Sequence, residues 1–315
     1  MKIVSLLPSA TEIVCALGLQ DSLVAVSHEC DYPQEVTRLP RITSSILPDN
    51  LDPQGIDTAV NEAVQAGKAL YQIDGDMLRA LQPDLIVTQG VCDVCAVGLG
   101  TVEATLKFLP DCLPEGARTL SFSGMSFEGI LRDIRMLAEV TRRENEAETL
   151  TTSLRERWNA VGETSSGRKP KVLMLEWSTP PFYGGHWVPD MVEVAGGEDI
   201  LGVPGQDSKR TTWADIAEHS PNVIVVMACG YDLAKNIEFA EDLYQNPDIS
   251  GLPAIQSQQI WACDANSYFS RPGPRVVRGA EILRSILRGR EVELGANEAR
   301  RVLPISQSKK EVVGG

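Results

Sequence analysis

The sequence predicts an α/β protein of two lobes, each with a parallel-type sheet flanked by helices, bridged by one long backbone helix. Short apolar strands alternate with helices in both halves of the 315-residue chain, which is the pattern of parallel sheets. Between the halves, 126–162 contains no proline and much of its apolar spacing is three or four residues. The expected divisions are an N-terminal lobe over 1–124, a bridging helix over 125–163, a C-terminal lobe over 164–290 and a polar tail over 291–315.

The N-terminal lobe is predicted to open with a strand over 2–7, where the sequence KIVSLL is apolar. A helix follows, because Ser9 as N-cap and Glu12 have the spacing of a capping box and Gly18 ends the pattern. Further predicted elements of this lobe are a helix over 76–81 and strands over 23–27, 85–88 and 119–122.

The bridging helix is the longest predicted element. A single helix over 126–162 would reach roughly 50 Å, which is longer than a small lobe needs for itself. We therefore expect it to run along the back of both lobes, with any bend near 142–146.

The C-terminal lobe repeats the order of elements of the first. A strand over 171–175, a loop rich in proline and glycine, and a helix over 189–194 match the strand, proline loop and helix at the N-terminus. A helix over 213–218, then Pro221 and a strand over 223–227, match the segment MLRALQPDLIVTQG. Two lobes of similar topology follow, and a ligand is expected outside the carboxyl ends of their strands.

Composition and charge exclude several classes of function. Hydrophobic residues make up 43% and charged residues 23% of the chain, which argues against disordered, collagen-like and coiled-coil proteins. A net charge of −14 makes nucleic acid and anionic membranes poor partners. No apolar run is long enough for membrane insertion. The N-terminus lacks a signal-peptide pattern, so the expected location is cytoplasmic as the sequence stands, and periplasmic only if a leader was removed.

Aromatic residues cluster on the predicted loops of the C-terminal lobe. Aromatic anchors with a few polar partners are how proteins hold sizeable apolar ligands such as a corrinoid disc. The alternative is that these side chains pack the loops onto the lobe. Six of the chain's Trp, Tyr and Phe residues lie there: Trp177, Phe182, Tyr183, Trp187, Tyr268 and Phe269.

Two cysteine-containing loops follow strands of the N-terminal lobe. HECDYP carries His28 and Cys30, and QGVCDVC carries Cys92 and Cys95. If both loops met, these four residues would form a metal site for zinc or an iron–sulfur cluster, or would cap cobalt or iron axially. The alternatives are a redox pair of Cys92 and Cys95, or loop thiols without a ligand. From the other lobe, further ligands could come from Glu176, His186 and Cys229.

No motif for catalysis is present. The sequence lacks GxxxxGK[ST], GxSxG, and a GxGxxG that opens a helix after a strand. Three histidines leave little for acid–base chemistry. We therefore expect a binding protein rather than an enzyme.

The order of motifs resembles a known family. SLLPSATEIVCALG, PDLIVTQ, an unbroken helix, EWSTPPFYGGHW and DANSYFSRPGPR occur in the order found in class III substrate-binding proteins of ABC importers. That family has a helical-backbone metal-receptor fold and carries siderophores, haem and cobalamin. The loop regions most resemble its cobalamin-binding members. HECDYP, CDVCA, GHWVP and SRPGPR resemble a leaderless branch that is commonly labelled cobalamin-binding.

The resemblance implies capture of a corrinoid or other metal chelate between the lobes and delivery to an ABC permease. It implies permease docking through Asp76 and Asp215, for which the alternative is solvated charges on helix faces. Arg271, on a loop stiffened by prolines, is expected to bind a phosphate or amide, or else to pair with an acid. The residues expected to face the ligand are Pro8, Ser9, Ala10, Gln89, Phe182, Tyr183, His186, Trp187, Asp264, Tyr268 and Arg271.

Two other functional hypotheses stay open at this point. One is a cytosolic metal- or iron–sulfur-binding protein or enzyme that reuses the fold, with the loop cysteines as ligands. The other is a structural paralogue without a ligand.

Overall fold

The computed structural model describes residues 1–48, 53–66, 69–90, 98–108, 113–163 and 169–304. The chain forms two compact units. The first comprises Met1–Leu154 and Pro272–Pro274, and the second comprises Arg155–Arg271 and Arg275–Gly315. Both units have an α/β architecture with parallel strands, so the predicted fold class is confirmed. The predicted four-part division of the chain stays a prediction.

The first unit is built on a four-stranded parallel sheet. Its strand order is β2-β1-β5-β6, and β3 and β4 form a separate antiparallel pair. The strands are β1 (Ile3–Ser5), β2 (Leu23–Val26), β3 (Thr43–Ser45), β4 (Tyr71–Ile73), β5 (Leu85–Gln89) and β6 (Arg118–Phe122). The helices that begin in this unit are α1 (Pro8–Ala16), α2 (Pro53–Gln65), α3 (Gly75–Leu81), α4 (Leu99–Phe108), α5 (Phe127–Thr141) and α6 (Glu144–Gly162).

Every residue of β1 and β5 is buried. Central strands of a parallel sheet are covered on both faces, which is why β1 and β5 carry runs of apolar residues instead of an alternating pattern. One buried cluster of this unit joins the sheet to α3 and α4 through Val4, Ile86, Leu78 and Val102.

The second unit contains a seven-stranded mixed sheet. Its order is β10-β8-β7-β11-β12-β13, with β9 also paired to β7; β7, β11 and β12 are parallel, and β8, β10 and β13 run antiparallel to their neighbours. The strands are β7 (Lys171–Ser178), β8 (Pro181–Tyr183), β9 (Glu198–Asp199), β10 (Lys209–Arg210), β11 (Val223–Val226), β12 (Ile260–Cys263) and β13 (Ala299–Val302). The helices are α7 (Val188–Val194), α8 (Trp213–His219), α9 (Leu233–Leu243), α10 (Pro253–Gln256), α11 (Ala265–Tyr268) and α12 (Val276–Leu287).

Part of the segment expected as a polar tail is an ordered edge strand. Ala299–Val302 forms β13 and pairs antiparallel with β12. The two ends of this strand, Ala299 and Val302, are buried, whereas Arg300 between them is exposed. Four residues of the segment expected as a polar tail therefore belong to the sheet of the second unit.

The expected bridging helix consists of two consecutive helices. Ser126 caps α5, because its hydroxyl accepts from Gly129 N at 3.1 Å. Arg142 ends that helix in the left-handed conformation, with φ 59°, and α6 begins at Glu144. The break between the two helices lies at 142–143, within the range where a bend was expected.

The capping of α1 differs from the prediction. The helix begins at Pro8, and Leu7 is the N-cap without a side-chain hydrogen bond. Ser9 is therefore inside the helix and is not its cap. Proline is well suited to the first helical position, because it has no N–H to leave unpaired there and its φ is already helical.

The expected similarity between the two halves is visible in α3 and α8. Asp74 caps α3 and Thr212 caps α8, each accepting from a backbone N–H three residues on. Gln82 and Ser220 end these helices in the left-handed conformation, with φ 47° and 52°. A proline and a buried strand follow in both, as the sequence predicts.

In the parts of the chain that the structure describes, no helix combines the length and the apolar character that crossing a membrane requires.

Candidate ligand-binding site

Three loops lie at the carboxyl ends of the parallel strands of the second unit. They cover 179–187 after β7, which includes the short strand β8, 227–232 after β11, and 264–271 after β12, which includes the short helix α11. This edge is where open α/β sheets bind ligands. Most of the residues predicted to face the ligand belong to the first and third of these loops.

Trp187 joins the first loop to the third. Its indole Nε1 donates to the carbonyl oxygen of Phe269 at 2.8 Å, and its residue surface is only 7% exposed. It is also the residue that precedes α7. Trp187 was predicted to face the ligand, but its side chain is buried and its hydrogen bond to Phe269 holds the two loops together.

Asn236 and Asn266 tie the second loop to the third. The Asn236 amide is fully buried; its Oδ1 accepts from Ala228 N at 2.8 Å and its Nδ2 donates to Cys263 O at 2.9 Å. Asn266 N donates to Tyr231 O at 3.1 Å. Hydrogen bonds thus connect all three loops, and each of these bonds satisfies a polar group that would otherwise be costly to bury.

Two partly exposed aromatic rings, Trp177 near the end of β7 and Tyr231 after β11, pack against the core of the unit and against the buried Phe239 of α9. Trp177 and Tyr231 have ring centroids 5.9 Å apart, and Tyr231 meets Phe239 edge-on at 5.3 Å. These separations are those of stabilising aromatic pairs. We call Trp177, Tyr231 and Phe239 the aromatic cluster. Trp177 and Tyr231 keep part of their surface open to solvent.

Phe182 and Tyr183 lie on opposite faces of β8, because neighbours on a strand alternate. Tyr183 packs against the buried core of the unit. Phe182 lies opposite Arg210 on β10, whose guanidinium carbon is 5.4 Å from the ring centroid. Of these two predicted ligand residues, Phe182 therefore lies on the face turned away from the core.

His186 belongs to a turn that is braced by a second loop. Its backbone has φ 55°, its Nε2 lies 3.5 Å from Asp207 Oδ1, and its Nδ1 lies 3.5 Å from Ser208 Oγ. Gly185 N donates to the same hydroxyl at 3.0 Å, and a side chain on Gly185 would collide with the backbone of 206–208. Burial lowers the pKa of His186, and the Asp207 carboxylate partly opposes that shift.

Asp199 fixes the backbone of 201–202, which packs against the same loop. Its Oδ1 accepts from Leu201 N at 3.1 Å and from Gly202 N at 2.7 Å, while its buried Oδ2 has no hydrogen-bond partner. Burial raises the pKa of this carboxyl from 3.8 to about 6. Gly202 packs so closely on the carbonyl of Gly184 that no side chain would fit between them.

The third loop holds three predicted ligand residues. Asp264 is the N-cap of α11, and its Oδ1 accepts from Ser267 N at 3.0 Å. Tyr268 is partly exposed under the guanidinium of Arg275 at 6.0 Å, and burial raises its pKa. Arg271 is buried. Of the three, Tyr268 offers a ring surface, whereas Asp264 already caps a helix.

In the first unit, the predicted ligand residues are mostly covered. Pro8 is partly exposed, but Ser9, Ala10 and Gln89 are buried. A side-chain carbon on Gly273, which belongs to this unit, would lie 3.8 Å from the Cα of Ser9. Part of the SRPGPR motif thus packs on the first turn of α1.

The two described members of the predicted metal site are engaged with hydroxyl groups. His28 Nδ1 is 2.7 Å from Thr43 Oγ1, and Nε2 is 3.3 Å from Glu29 Oε1. The Cys30 thiol is buried, 3.1 Å from Thr11 Oγ1. His28 Nδ1 and the Cys30 thiol are thus each paired with a threonine hydroxyl, while the buried Nε2 of His28 has no hydrogen-bond partner among the described residues.

Cys92 and Cys95, the other two members, lie outside the described residues. Within the described residues, no group of three or more His, Cys, Asp or Glu side chains is arranged to hold a metal ion. The chain that the structure describes therefore gives no support to a zinc or iron–sulfur site.

The two predicted docking acids occupy matching helices. Asp76 lies in the first turn of α3, with its side chain 94% exposed, and pairs with Arg79 at 2.9 Å. Asp215 is exposed in the first turn of α8. Each presents a carboxylate to solvent in the first turn of its helix, Asp76 two residues after the cap of α3 and Asp215 three residues after the cap of α8.

Four residues of this region were not predicted: Asp199, Arg210, Tyr231 and Asn236. Tyr231 carried a positional signal, since it lies just beyond the carboxyl end of the strand over 223–227, whereas Asn236 lies within the helix that follows. Arg210 and Asp199 lie on two-residue strands, which are too short to show a period.

Comparison with known proteins agrees with this architecture. Residues 3–267 match the family model described as periplasmic binding protein. A vitamin B12-binding protein of Photorhabdus laumondii is 23% identical over 286 residues, covering 90% of this chain and 86% of that protein. Vitamin B12-binding proteins of Yersinia pestis strains are 24% identical over 290 residues, covering 90% of this chain and 84% of their own length.

Solved structures share the fold. The periplasmic vitamin B12-binding protein BtuF of Vibrio cholerae superposes with a TM-score of 0.60 at 20% identity, covering 92% of this chain and 97% of that one. The periplasmic heme-binding protein RhuT of Roseiflexus sp. superposes with a TM-score of 0.66 at 21% identity, covering 92% and 98%. These proteins are named as binding proteins, in agreement with the expectation of a binding protein rather than an enzyme. The resemblance to class III substrate-binding proteins is confirmed, and the chain belongs to the periplasmic binding protein family.

Proposed function

We propose that this protein captures a corrinoid of the cobalamin class as the substrate-binding component of an ABC importer. The observation that carries the proposal is the aromatic cluster at the carboxyl ends of β7 and β11, where two rings keep exposed surface. Support comes from relatives named as vitamin B12-binding proteins, which align over 90% of the chain.

The chemistry of a corrin ring suits this edge of the second unit. A corrinoid is a broad disc with apolar faces and amide groups around its rim. Aromatic rings such as Trp177 and Phe182 would contact an apolar face, while backbone groups of the loops would hydrogen-bond to rim amides.

The hydrogen bonds among the three loops add to the case. Because Trp187, Asn236 and Asn266 already hold the loops in place, little conformational freedom remains to be lost when a ligand binds. Loops that are already held in place before the ligand binds are typical of a small-molecule site.

The proposal is tested by equilibrium dialysis against cyanocobalamin. Wild-type protein is expected to retain the corrinoid at a 1:1 ratio. The Trp177→Ala variant should bind at least about tenfold more weakly, because a large aromatic contact is lost. The control is Tyr244→Phe, which removes the hydroxyl bonded to Val302 O at 2.9 Å and leaves the loops untouched.

Haemin is the comparison ligand, because several structural neighbours are named as heme-binding proteins. Retention of cyanocobalamin with weaker retention of haemin supports the corrinoid assignment. Retention of haemin alone would overturn it, and so would equal affinity of the wild-type and Trp177→Ala proteins for cyanocobalamin.

We also propose that Asp76 and Asp215 dock the permease, as the family resemblance implies. Their exposure in matching helices supports this role. Alanine at both positions should leave cyanocobalamin affinity unchanged and reduce the stimulation of ATP hydrolysis by a reconstituted cobalamin permease. Asp242→Ala, which removes an exposed acid from α9, is the control. Undiminished stimulation by the double variant would contradict the docking role.

A further inference from the structure

Arg210 is held against an aromatic ring at one edge of the second sheet. Strand β10 pairs antiparallel with β8, placing Arg210 directly opposite Phe182 and Lys209 opposite Tyr183. The guanidinium carbon of Arg210 is 5.4 Å from the Phe182 centroid, within the range of a cation–π contact. Both basic residues are exposed.

The two cations lie on different faces of the same short strand. Since side chains alternate along a strand, Arg210 shares the outer face with Phe182, and Lys209 shares the face on which Tyr183 packs against the core. The Lys209 ammonium donates to Gln206 Oε1 at 3.3 Å. Arg210 and Lys209 thus carry the same charge, but only Arg210 lies against the Phe182 ring.

A guanidinium stacked on a ring is a preorganised anion receptor. The contact with the ring restricts where the guanidinium lies, and its forked N–H groups match the oxygens of a phosphate or carboxylate. The rest of the molecule works against anion binding, because its net charge is −14. An anionic ligand therefore needs a cation at the point of contact. Arg210 supplies one, because it pairs with Phe182, which in turn pairs with Trp177 of the aromatic cluster.

We propose that Arg210 is a specificity-determining residue that binds an anionic group of the ligand, the phosphodiester of a complete cobalamin. This inference rests on the proposed function and narrows it from corrinoids in general to phosphate-bearing ones. Phe182 then has two roles, since its ring contacts the ligand and orients the guanidinium.

The test compares cyanocobalamin with dicyanocobinamide, which has the corrin ring but lacks the nucleotide and its phosphodiester. Both are titrated calorimetrically into wild-type protein and into the Arg210→Gln variant. The expected result is about a five- to tenfold weaker affinity of the variant for cyanocobalamin and an unchanged affinity for dicyanocobinamide. The difference should shrink in high salt, because exposed charges are screened.

Lys209→Gln is the matched control. It removes the same charge from the neighbouring residue on the other face and should leave both affinities at the wild-type value. Arg210→Lys keeps the charge without the planar fork, and its affinity for cyanocobalamin should fall between those of the wild type and Arg210→Gln.

The outcomes separate this inference from the proposed function. If wild-type protein binds neither corrinoid, the proposed function fails. If wild-type protein binds both but Arg210→Gln weakens them equally, the residue acts only by placing the Phe182 ring, and the phosphate role is overturned. An equal loss of cyanocobalamin affinity in Lys209→Gln would overturn the phosphate role as well, because the effect would then come from the net charge of the protein and not from a contact with Arg210.

Discussion

The indole of Trp187 donates its N–H to the carbonyl of Phe269 at 2.8 Å, and this bond joins two loops that are 82 residues apart in sequence. Phe269 is itself buried, so the carbonyl lies in a setting where an unpaired acceptor is costly. Two residues that the sequence places among candidate ligand contacts are thus paired with each other inside the unit.

Replacing Trp187 by phenylalanine should destabilise the protein by about 1–3 kcal/mol, because the Phe269 carbonyl loses its donor and the smaller ring leaves space. Urea unfolding at constant pH measures the change. Trp213→Phe is the control: Trp213 is the partly exposed first residue of α8, and the loss there should be smaller. Equal losses in the two variants would mean that the bond to Phe269 contributes nothing.

Replacing Asn236 by leucine should cost about 2–4 kcal/mol and weaken cyanocobalamin binding. The variant leaves Ala228 N and Cys263 O without partners in a buried setting and releases the second loop from the third. The same unfolding experiment measures stability, and dialysis measures binding. Asn246→Ala, which removes an exposed cap of a short helix, should cost about 1 kcal/mol or less. A stable Asn236→Leu variant would contradict the bracing role of this amide.

The Asp199→Asn variant should differ from wild type in the pH dependence of its stability. The folded state raises the pKa of Asp199 from 3.8 to about 6, so the folded chain holds this proton more tightly than the unfolded chain does. The stabilisation that the proton provides is present below pH 3.8 and is lost as the pH rises through about 6.

The quantity to compare is the free energy of unfolding of Asp199→Asn minus that of wild type. This difference should increase between about pH 4 and about pH 8, by at most about 3 kcal/mol, because only the wild type loses the stabilising proton. The variant keeps the Oδ1 acceptor for Leu201 N and Gly202 N. His186 titrates in both proteins, so its contribution cancels in the difference. A difference that stays constant over this range would show that the buried carboxyl is already satisfied.

The described cysteines should react with a thiol reagent in a defined order. Cys229 is exposed, whereas Cys30 and Cys263 are buried and burial raises the pKa of Cys15 to about 11. Because the thiolate is the reactive form, Cys229 should be alkylated at least about tenfold faster than the other three. Peptide mass spectrometry after timed iodoacetamide labelling reads each site separately. Fast labelling of Cys263 in folded protein would contradict the burial described for β12.

Much of the fold followed from patterns in the sequence, because buried parallel strands are short apolar runs and amphipathic helices repeat apolar residues every three or four positions. The repeat of helix, proline and strand at α3–β5 and α8–β11 is an example, since the apolar strands and Pro221 mark it directly. The antiparallel strands β8, β10 and β13 were not predicted. They are two to four residues long, and their positions depend on pairing with distant strands instead of on a local period.

The candidate site was predictable by location but not by the role of each side chain. Trp187 and Asp264 lie in the expected loops, yet one braces another loop and the other caps a helix. A single sequence does not reveal such bonds, because the partners come from other loops. Cys92 and Cys95 lie outside the described residues, and the cytoplasmic location stays a prediction.

The most direct test of the central claim is isothermal titration calorimetry of the wild-type protein with cyanocobalamin. The account predicts a 1:1 complex with a dissociation constant of about 1 µM or lower, which corresponds to about −8 kcal/mol or more favourable. An absence of binding at ligand concentrations about a hundredfold higher, in protein shown to be folded, would contradict it.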